Sequence, residues 1–211
     1  ETDLVVMSIG VRPDVDLAVG AGIELGSTGA IAVDAMMRTN DPRIWAAGDA
    51  VESLHGVSGK PAWIPLAGPA NKQGRIAGAN AAGGALRMGP VFGTSIVRFN
   101  NIAAGVTGLN ERLARNHGYD VATALIHANQ HAGYYPGAEM LAVKVLYERH
   151  DGRLLGAQAV GHDGVDKRID IFATALAGNM TVDDLADLDL AYAPPFGSAR
   201  DPVTVAGFVA Q

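Results

Sequence analysis

Residues 83–94, GGALRMGPVFGT, divide the chain in two. Gly83, Gly84, Gly89, Pro90 and Gly93 punctuate a stretch that suits neither a helix nor a strand. The two sides therefore fold from different elements, with a boundary expected between residues 88 and 89. At 211 residues and 48% hydrophobic content, the chain suffices for one large or two small domains with real cores.

Before the break (1–88) the texture is mixed α/β. DLVVMSIG (3–10) is an apolar run of strand length. GVRPDVDLAVGAGIEL follows as a turn and a short helix. Ile31 and Val33 alternate as in a strand, and IWAAGDA reads as a short strand running into Gly48 and Asp49. Residues 65–83 form a small-residue helix whose first turn suits Pro65 or Pro69.

After the break (89–211) the pattern is α+β, an antiparallel sheet with helices on one face. TSIVRFNNIAAGVTG gives two strands around Asn100 and Asn101, and LNERLARNHG a short helix ended by Gly118. YDVATALIHA and MLAVKVLYER are further strands, the latter joined through Asp151 and Gly152 to RLLGAQAVGH. Val165, Ile169, Phe172 and Leu176 mark the sheet-facing stripe of a helix over 165–179. Thr181 caps a second, shorter helix with Asp183 and Asp184 in its first turn. Pro194 and Pro195 forbid helix and predict a stiff extended projection over Ala191–Phe196.

A formal charge of −6 argues against a nucleic-acid surface. No basic block suggests an anionic membrane, and the apolar runs stop well short of the ~18 residues of a membrane span. No signal-peptide pattern opens the chain, so a cytoplasmic protein is expected. The start ETDLVVMSIG enters a buried-type strand almost at once, which reads as a piece of a longer protein. The chain has no cysteine, which excludes disulfides, thiolate metal sites and a cysteine nucleophile within it. Its six histidines show no ligand spacing, so no metal site is expected.

The chemistry-bearing stretch of the first half is RTNDPRIWAAGDA (38–50). Ala47 and Gly48 let the backbone approach a ligand. Asp49 can accept hydrogen bonds from sugar or ribityl hydroxyls, and the amides just after it, from Ala50 on, can face a phosphate. On spacing alone, a strand-end turn with Asp49 capping a short helix fits as well.

The order Thr39, then Ile44-Trp45-Ala46, then Gly48-Asp49 resembles the second FAD-binding motif of the pyridine nucleotide–disulfide oxidoreductase family. DLVVMSIGVRPDVDLA resembles that family's last strand of the NAD domain and its exit loop. IPLAGPANKQGRIAGANAAGG resembles the helix whose N-terminus points at the flavin ring. The resemblance implies backbone donors around Leu66 and Ala67, where a helix's positive end favours negative charge on the reduced flavin. Without the preceding motif, the same helix reads as a core helix rich in Ala and Gly.

The second half resembles the family's dimerisation domain, nearest to the coenzyme A-disulfide reductase and NADH oxidase branch. HANQHAGYYPGAE (127–139) and VDKRIDIFATAL with LAYAPPFGSARDP (165–202) carry that choice. LAYAPPF stands where glutathione-reductase-like relatives carry a His-Pro…Glu acid/base pair. The resemblance implies catalytic tyrosines at Tyr192 and at one of Tyr134 and Tyr135, Tyr134 being preferred, acting across a homodimer. A phenol of ordinary pKa about 10 protonates a leaving thiolate less readily than a His-Glu pair does. Both positions also read as structural, Tyr192 packing the Pro-Pro corner and Tyr134-Tyr135 flanking a turn. Lys167 and Arg168 open a helix, where cations are mildly unfavourable. An anionic partner such as the phosphates of coenzyme A would explain them, as would a solvated helix face. Phe196 fits either near the partner's flavin or in interface packing.

What the resemblance implies is part of a homodimeric FAD-dependent NAD(P)H oxidoreductase that reduces coenzyme A disulfide or a similar small disulfide, polysulfide or oxygen. With no GxGxxG turn and no redox cysteine, the chain alone is expected to be inactive. Two other classes stay open, a non-catalytic dimerisation or interaction module and a nucleotide-binding regulator using the Asp49 site.

Overall fold

The computed structural model describes residues 2–211. The chain up to Leu54 and again over Pro61–Gly89 forms one unit, and His55–Lys60 with Pro90–Gln211 forms a second.

The first unit holds little regular structure. It has the short helix α1 (Asp16–Gly20), a ribbon of β1 (Glu52–Leu54) and β2 (Pro61–Trp63), and the long helix α2 (Ala67–Ala81). Pro69 sits in the first turn of α2, where its missing N–H costs nothing. Three strand expectations are corrected. Residues 3–10 form no strand, and Leu4, Val5, Val6, Met7 and Ile9 are each more than 70% exposed. A buried-type strand gets its hydrogen bonds and its cover from neighbouring strands, and none of the described residues pairs with this run. Ile31 makes only single bridges, to Leu25 and Val51, and Trp45 only one, to Arg38. The apolar centre is small: Ile23, Ile31 and Val51, with Val15, Ala18, Val33, Ala46 and Ala50 around them.

The second unit is the antiparallel sheet with helices on one face that the sequence predicts. β3 (Ser95–Phe99) and β4 (Ile102–Gly108) turn at Asn100, which holds a left-handed φ of 52°. β5 (Val121–Asn129), β6 (Met140–Glu148) and β7 (Leu154–Gly161) complete a sheet of order β3-β4-β7-β6-β5. Between β4 and β5 lies α3 (Glu111–Asn116), its Leu113 amide capped by the Asn110 side chain at 2.9 Å. The β6–β7 turn falls at Asp151 and Gly152, whose carboxylate accepts from the Arg153 amide at 3.0 Å.

Helix α4 (Val165–Ala177) buries the expected stripe of Val165, Ile169, Phe172 and Leu176 against β4 and β7. It approaches so closely that a Cβ on Gly105 would lie 2.6 Å from Ile169. Enclosing Phe172, which is fully buried, is worth about 1.5–3 kcal/mol by the area it removes from water. α5 (Val182–Ala186) starts in a capping box: the Thr181 hydroxyl accepts from the Asp184 amide, and the Asp184 carboxylate accepts from the Thr181 amide.

Two features of the tail differ from expectation. Residues 191–196 do not project stiffly, because the Ala193 carbonyl accepts from the Phe196 and Gly197 amides at 2.9 and 3.1 Å and closes a turn. Proline's fixed φ excludes helix but suits a turn equally well. Beyond it lies a helix the periodicity did not reveal, α6 (Pro202–Ala210), packed on β5 and α5. Its signal was Asp201-Pro202, an N-cap carboxylate followed by proline at the first helical position.

Candidate functional site

In the first unit the site grows from the loop made by RTNDPRIWAAGDA. The Thr39 hydroxyl donates to the Ile44 carbonyl at 3.0 Å and accepts from the Asp41 amide at 3.2 Å. Asp41 grips Arg43 through two side-chain hydrogen bonds of 3.1 and 2.9 Å. That guanidinium holds the Asp41 carboxyl down at about 2. The motif's threonine is thus a loop closer that returns Ala46 to the Met37 carbonyl at 3.1 Å.

Gly48 follows with φ of 87°, a conformation side chains rarely adopt, and a Cβ there would reach the Ala70 side chain at 3.9 Å. Its amide donates to Gln73 Oε1 at 2.9 Å, and Gln73 Nε2 donates to Ser53 Oγ at 2.9 Å. Gln73 is 2% exposed, so a buried amide side chain on α2 pins the glycine turn beside the start of that helix. Sequence reasoning missed Gln73. Its signal was the one long uncharged polar side chain of the helix, set between Lys72 and Arg75. The Trp63 indole donates to the Asp49 carbonyl at 2.6 Å, which fixes the main chain there.

Several groups at this corner are left without an acceptor or donor among the described residues: the exposed Asp49 carboxylate, the Ala50 amide, and the amides of Ala67 and Gly68. The Leu66 amide is already used, donating to the Ile64 carbonyl at 2.9 Å. No helix starts at Asp49, so the capping alternative is not what the turn does. The first turn of α2 holds no acidic residue, which leaves its partial positive charge uncompensated. The corner thus offers one carboxylate acceptor, free backbone amide donors and an uncompensated helix N-terminus, groups that could hold a flavin nucleotide.

In the second unit, two distant loops bring Tyr134 and Tyr192 together, hydroxyl to hydroxyl at 3.0 Å. Tyr135 turns away and stands edge-on to the His131 ring, 5.6 Å between centroids. The hydrogen bond to Tyr134, aided by partial burial, pushes the Tyr192 phenol above its ordinary value. Phe196 is 75% exposed and packs into no core of its own chain.

Arg168 is not where a ligand could use it. It is 1% exposed, with Nε and Nη2 on the two Asp201 oxygens at 3.3 and 2.8 Å and Nη2 also on the Gln130 carbonyl at 2.6 Å. The expectation that it meets an external phosphate is corrected: the carboxylate that accounts for this cation lies within the chain. Lys167 is partly exposed and touches Asp201 Oδ2 at 3.3 Å and the Phe196 carbonyl at 3.4 Å. The solvated-face alternative therefore fails for Arg168, while Lys167 is partly solvated. No group of three or more metal-ligating side chains occurs among the described residues, and no helix among them is long and apolar enough to cross a membrane.

Comparison with known proteins finds "Pyridine nucleotide-disulphide oxidoreductase, dimerisation domain" over residues 94–203 and "Pyridine nucleotide-disulphide oxidoreductase" over residues 1–83. The chain is 43% identical over 205 residues to an NAD(P)H sulfur oxidoreductase (CoA-dependent) of Pyrococcus furiosus, covering 97% of this chain and 46% of that protein. It is 33% identical over 210 residues to a coenzyme A disulfide reductase of Staphylococcus epidermidis, covering 99% of this chain and 48% of that protein. It superposes on the structure of an NAD-dependent persulfide reductase from A. fulgidus with a TM-score of 0.94 at 43% identity, covering 100% of this chain and 39% of that one. The chain thus spans about half the length of the curated relatives it matches.

Proposed function

The chain belongs to the pyridine nucleotide-disulphide oxidoreductase family, and from that premise we propose that it is part of a homodimeric enzyme passing electrons from NAD(P)H through FAD to a small disulfide of the coenzyme A kind, to polysulfide or to oxygen. The family is FAD-dependent and draws on NAD(P)H. In this reading residues 1–88 close the nucleotide-binding region and 89–211 are the dimerisation domain. Bound FAD supplies the relay of an electron pair from nicotinamide to the acceptor.

The chain's own groups then have these tasks. Asp49 accepts hydrogen bonds from sugar or ribityl hydroxyls. The Ala50 amide faces phosphate, and Gly48 gives that backbone room. The Ala67 and Gly68 amides stabilise negative charge at the ring. The Tyr192 phenol, pushed above its ordinary value, keeps its proton through the neutral range and shares one hydrogen bond with the Tyr134 hydroxyl, in which either oxygen can be the donor. Tyr134 can then release its own proton to a leaving thiolate, because the oxygen left behind stays hydrogen-bonded. The 3.0 Å contact between Tyr134 and Tyr192 is the observation that supports this reading, Tyr192 lying in the LAYAPPF segment that stands where glutathione-reductase-like relatives carry a His-Glu dyad.

Because the chain has no cysteine, the proposal takes the redox sulfur from elsewhere in the protein and expects no disulfide turnover from this chain alone. The test is the full-length protein, assayed for NAD(P)H oxidation against coenzyme A disulfide, polysulfide and oxygen in turn. Flavin-dependent turnover with at least one of them is expected; a flavin-loaded protein that oxidises NAD(P)H with none of the three overturns the proposal.

A non-catalytic dimerisation module has its own supporting observation. Val97, Phe99, Ile102, Leu125, Met140 and Val160 lie exposed on the sheet face opposite α4 and α6. An apolar face of that kind suits a second copy of the chain. Sedimentation separates the parts of the proposal: a clean monomer removes the homodimer.

A further inference from the structure

Two loops carry the tyrosine pair, and neither is part of the sheet. One runs from Gln130 to Glu139 and bears Tyr134; the other runs from the end of α5 to Asp201 and bears Tyr192. Their hydroxyls meet at the surface, Tyr134 76% and Tyr192 48% exposed. Fixing the bases of the two loops would limit the freedom that otherwise separates exposed side chains 58 residues apart in the chain.

We propose that the buried Arg168–Asp201 ion pair, with the Gln130 carbonyl as its third member, is the positioning unit that holds Tyr134 and Tyr192 together. Arg168 stands on α4, the rigid element. Its Nη2 donates both to the Gln130 carbonyl at 2.6 Å, where the first loop begins, and to Asp201 Oδ2 at 2.8 Å, where the second ends. Nε meets the other Asp201 oxygen at 3.3 Å, and Nη1 meets the Gly164 carbonyl at 3.2 Å. A planar guanidinium can serve both loop bases at once because its donors are forked; an ammonium cannot.

Each loop base is locked in turn. Gln130 closes its own loop, with its amide on the Glu139 carbonyl at 3.1 Å, its Nε2 on the Gly137 carbonyl at 3.0 Å and its Oε1 accepting from the Glu139 amide at 2.6 Å. Asp201 Oδ1 accepts from the Val203 amide at 3.0 Å and so starts α6. Between the two loops the Ala132 amide reaches the Pro194 carbonyl at 3.3 Å. Lys167 adds a partly exposed tie from Asp201 and the Phe196 carbonyl. The ion pair is 1% and 3% exposed. Replacing such a pair with apolar residues is often neutral or stabilising, so stability alone does not account for it.

The inference rests on the reading of Tyr134 and Tyr192 as a functional pair, and one titration separates the two claims. The chain is labelled with ring-13C tyrosine, and the Tyr192 resonance is followed to high pH in the parent and in Tyr134→Phe, Arg168→Lys and Asp201→Asn variants. Asn keeps the helix cap while removing the charge. In the parent, Tyr192 titrates above the ordinary value of about 10. In Tyr134→Phe it falls back toward that value; no change there refutes the pair itself. In Arg168→Lys and Asp201→Asn it falls to the Tyr134→Phe value while sheet resonances stay in place. Folded variants that keep the parent's Tyr192 titration overturn the positioning role and leave the pair intact. A second measurement needs no variant: the Arg168 Nε–H and Nη–H protons of the parent give resolved, slowly exchanging signals, and a fast-exchanging averaged guanidinium overturns the proposal.

Discussion

The sheet unit and the unit that precedes it solve the same problem by different means. In the sheet unit, Val143, Val145, Leu146, Leu155 and Phe172 are fully buried, and every strand except β3 presents an apolar row to α4 or α6. In the first unit only Ile23, Ile31 and Val51 anchor the apolar cluster, and order comes from polar clasps: Thr39 on Ile44, Gln73 on Gly48, Asn80 on the Met36 and Leu86 carbonyls at 2.9 and 2.8 Å. Polar clasps specify geometry but add only ~0.5–1.5 kcal/mol each. Burial adds stability but leaves few groups for a ligand. The unit with the weaker core is the one with unspent donors and an exposed carboxylate, and under the proposed function it is the one a bound nucleotide would complete and stabilise.

The largest break in this comparison comes from the core. Phe172→Ala is expected to cost ~3–5 kcal/mol, visible in denaturant titration as a lowered midpoint for the sheet unit while signals from Trp45 and Trp63 in the first unit change on their own transition. A single shared transition would erase the distinction. Next, Gly48→Ala forces a side chain to φ of 87° and is expected to cost ~1–2 kcal/mol, read as earlier melting of the first unit. A variant as stable as the parent would show that Gly48 does not hold that conformation.

A third expectation concerns pH. His55 in the second unit is 7% exposed, and its Nδ1 accepts from the Val57 amide at 3.2 Å. Burial, with His117 nearby, pushes its pKa below 6.5, the value it regains on unfolding. The unfolded chain then binds the extra proton, so stability is full above about 6.5 and falls as pH drops below it. Melting from pH 8 to pH 5 should show this slope for the parent and a flatter one for His55→Gln; equal slopes would clear His55. The smallest effect is Trp45→Phe. The Trp45 indole N–H is buried without a partner among the described residues, so its removal should be neutral or slightly stabilising in a thermal melt. A clear loss would mean that this N–H has an acceptor.

Legibility followed the same division. The α4 stripe, the β6–β7 hairpin and the Thr181 cap were readable because each is set by local period or local hydrogen bonding, and the sheet confirms them. α6 was missed because Val203, Ala206 and Ala210 lie in a run too uniformly apolar to show a period, although Asp201-Pro202 marked its start. The strand expected at 3–10 failed because apolar length says nothing about whether partner strands are present. At the candidate site, Gly48 and Asp49 were singled out by their order in the motif, whereas Gln73 acts through a contact 25 residues away. The pairing of Tyr134 rather than Tyr135 with Tyr192 depends on which way a loop side chain turns, which no spacing reveals. Arg168 was legible as a misplaced cation but not as the partner of Asp201, 33 residues on.

The central claim is that Tyr134 and Tyr192 act as one proton-donating pair. The most direct test is kcat of the full-length, flavin-loaded enzyme with coenzyme A disulfide, measured across pH for Tyr134→Phe, Tyr192→Phe and the double variant. General acid catalysis is worth ~10²–10⁴-fold, so each single variant should lose on the order of 10² in kcat with KM little changed, and the double variant should lose hardly more than the worse single one. Single variants at parental kcat, or losses that multiply in the double variant, would contradict the account.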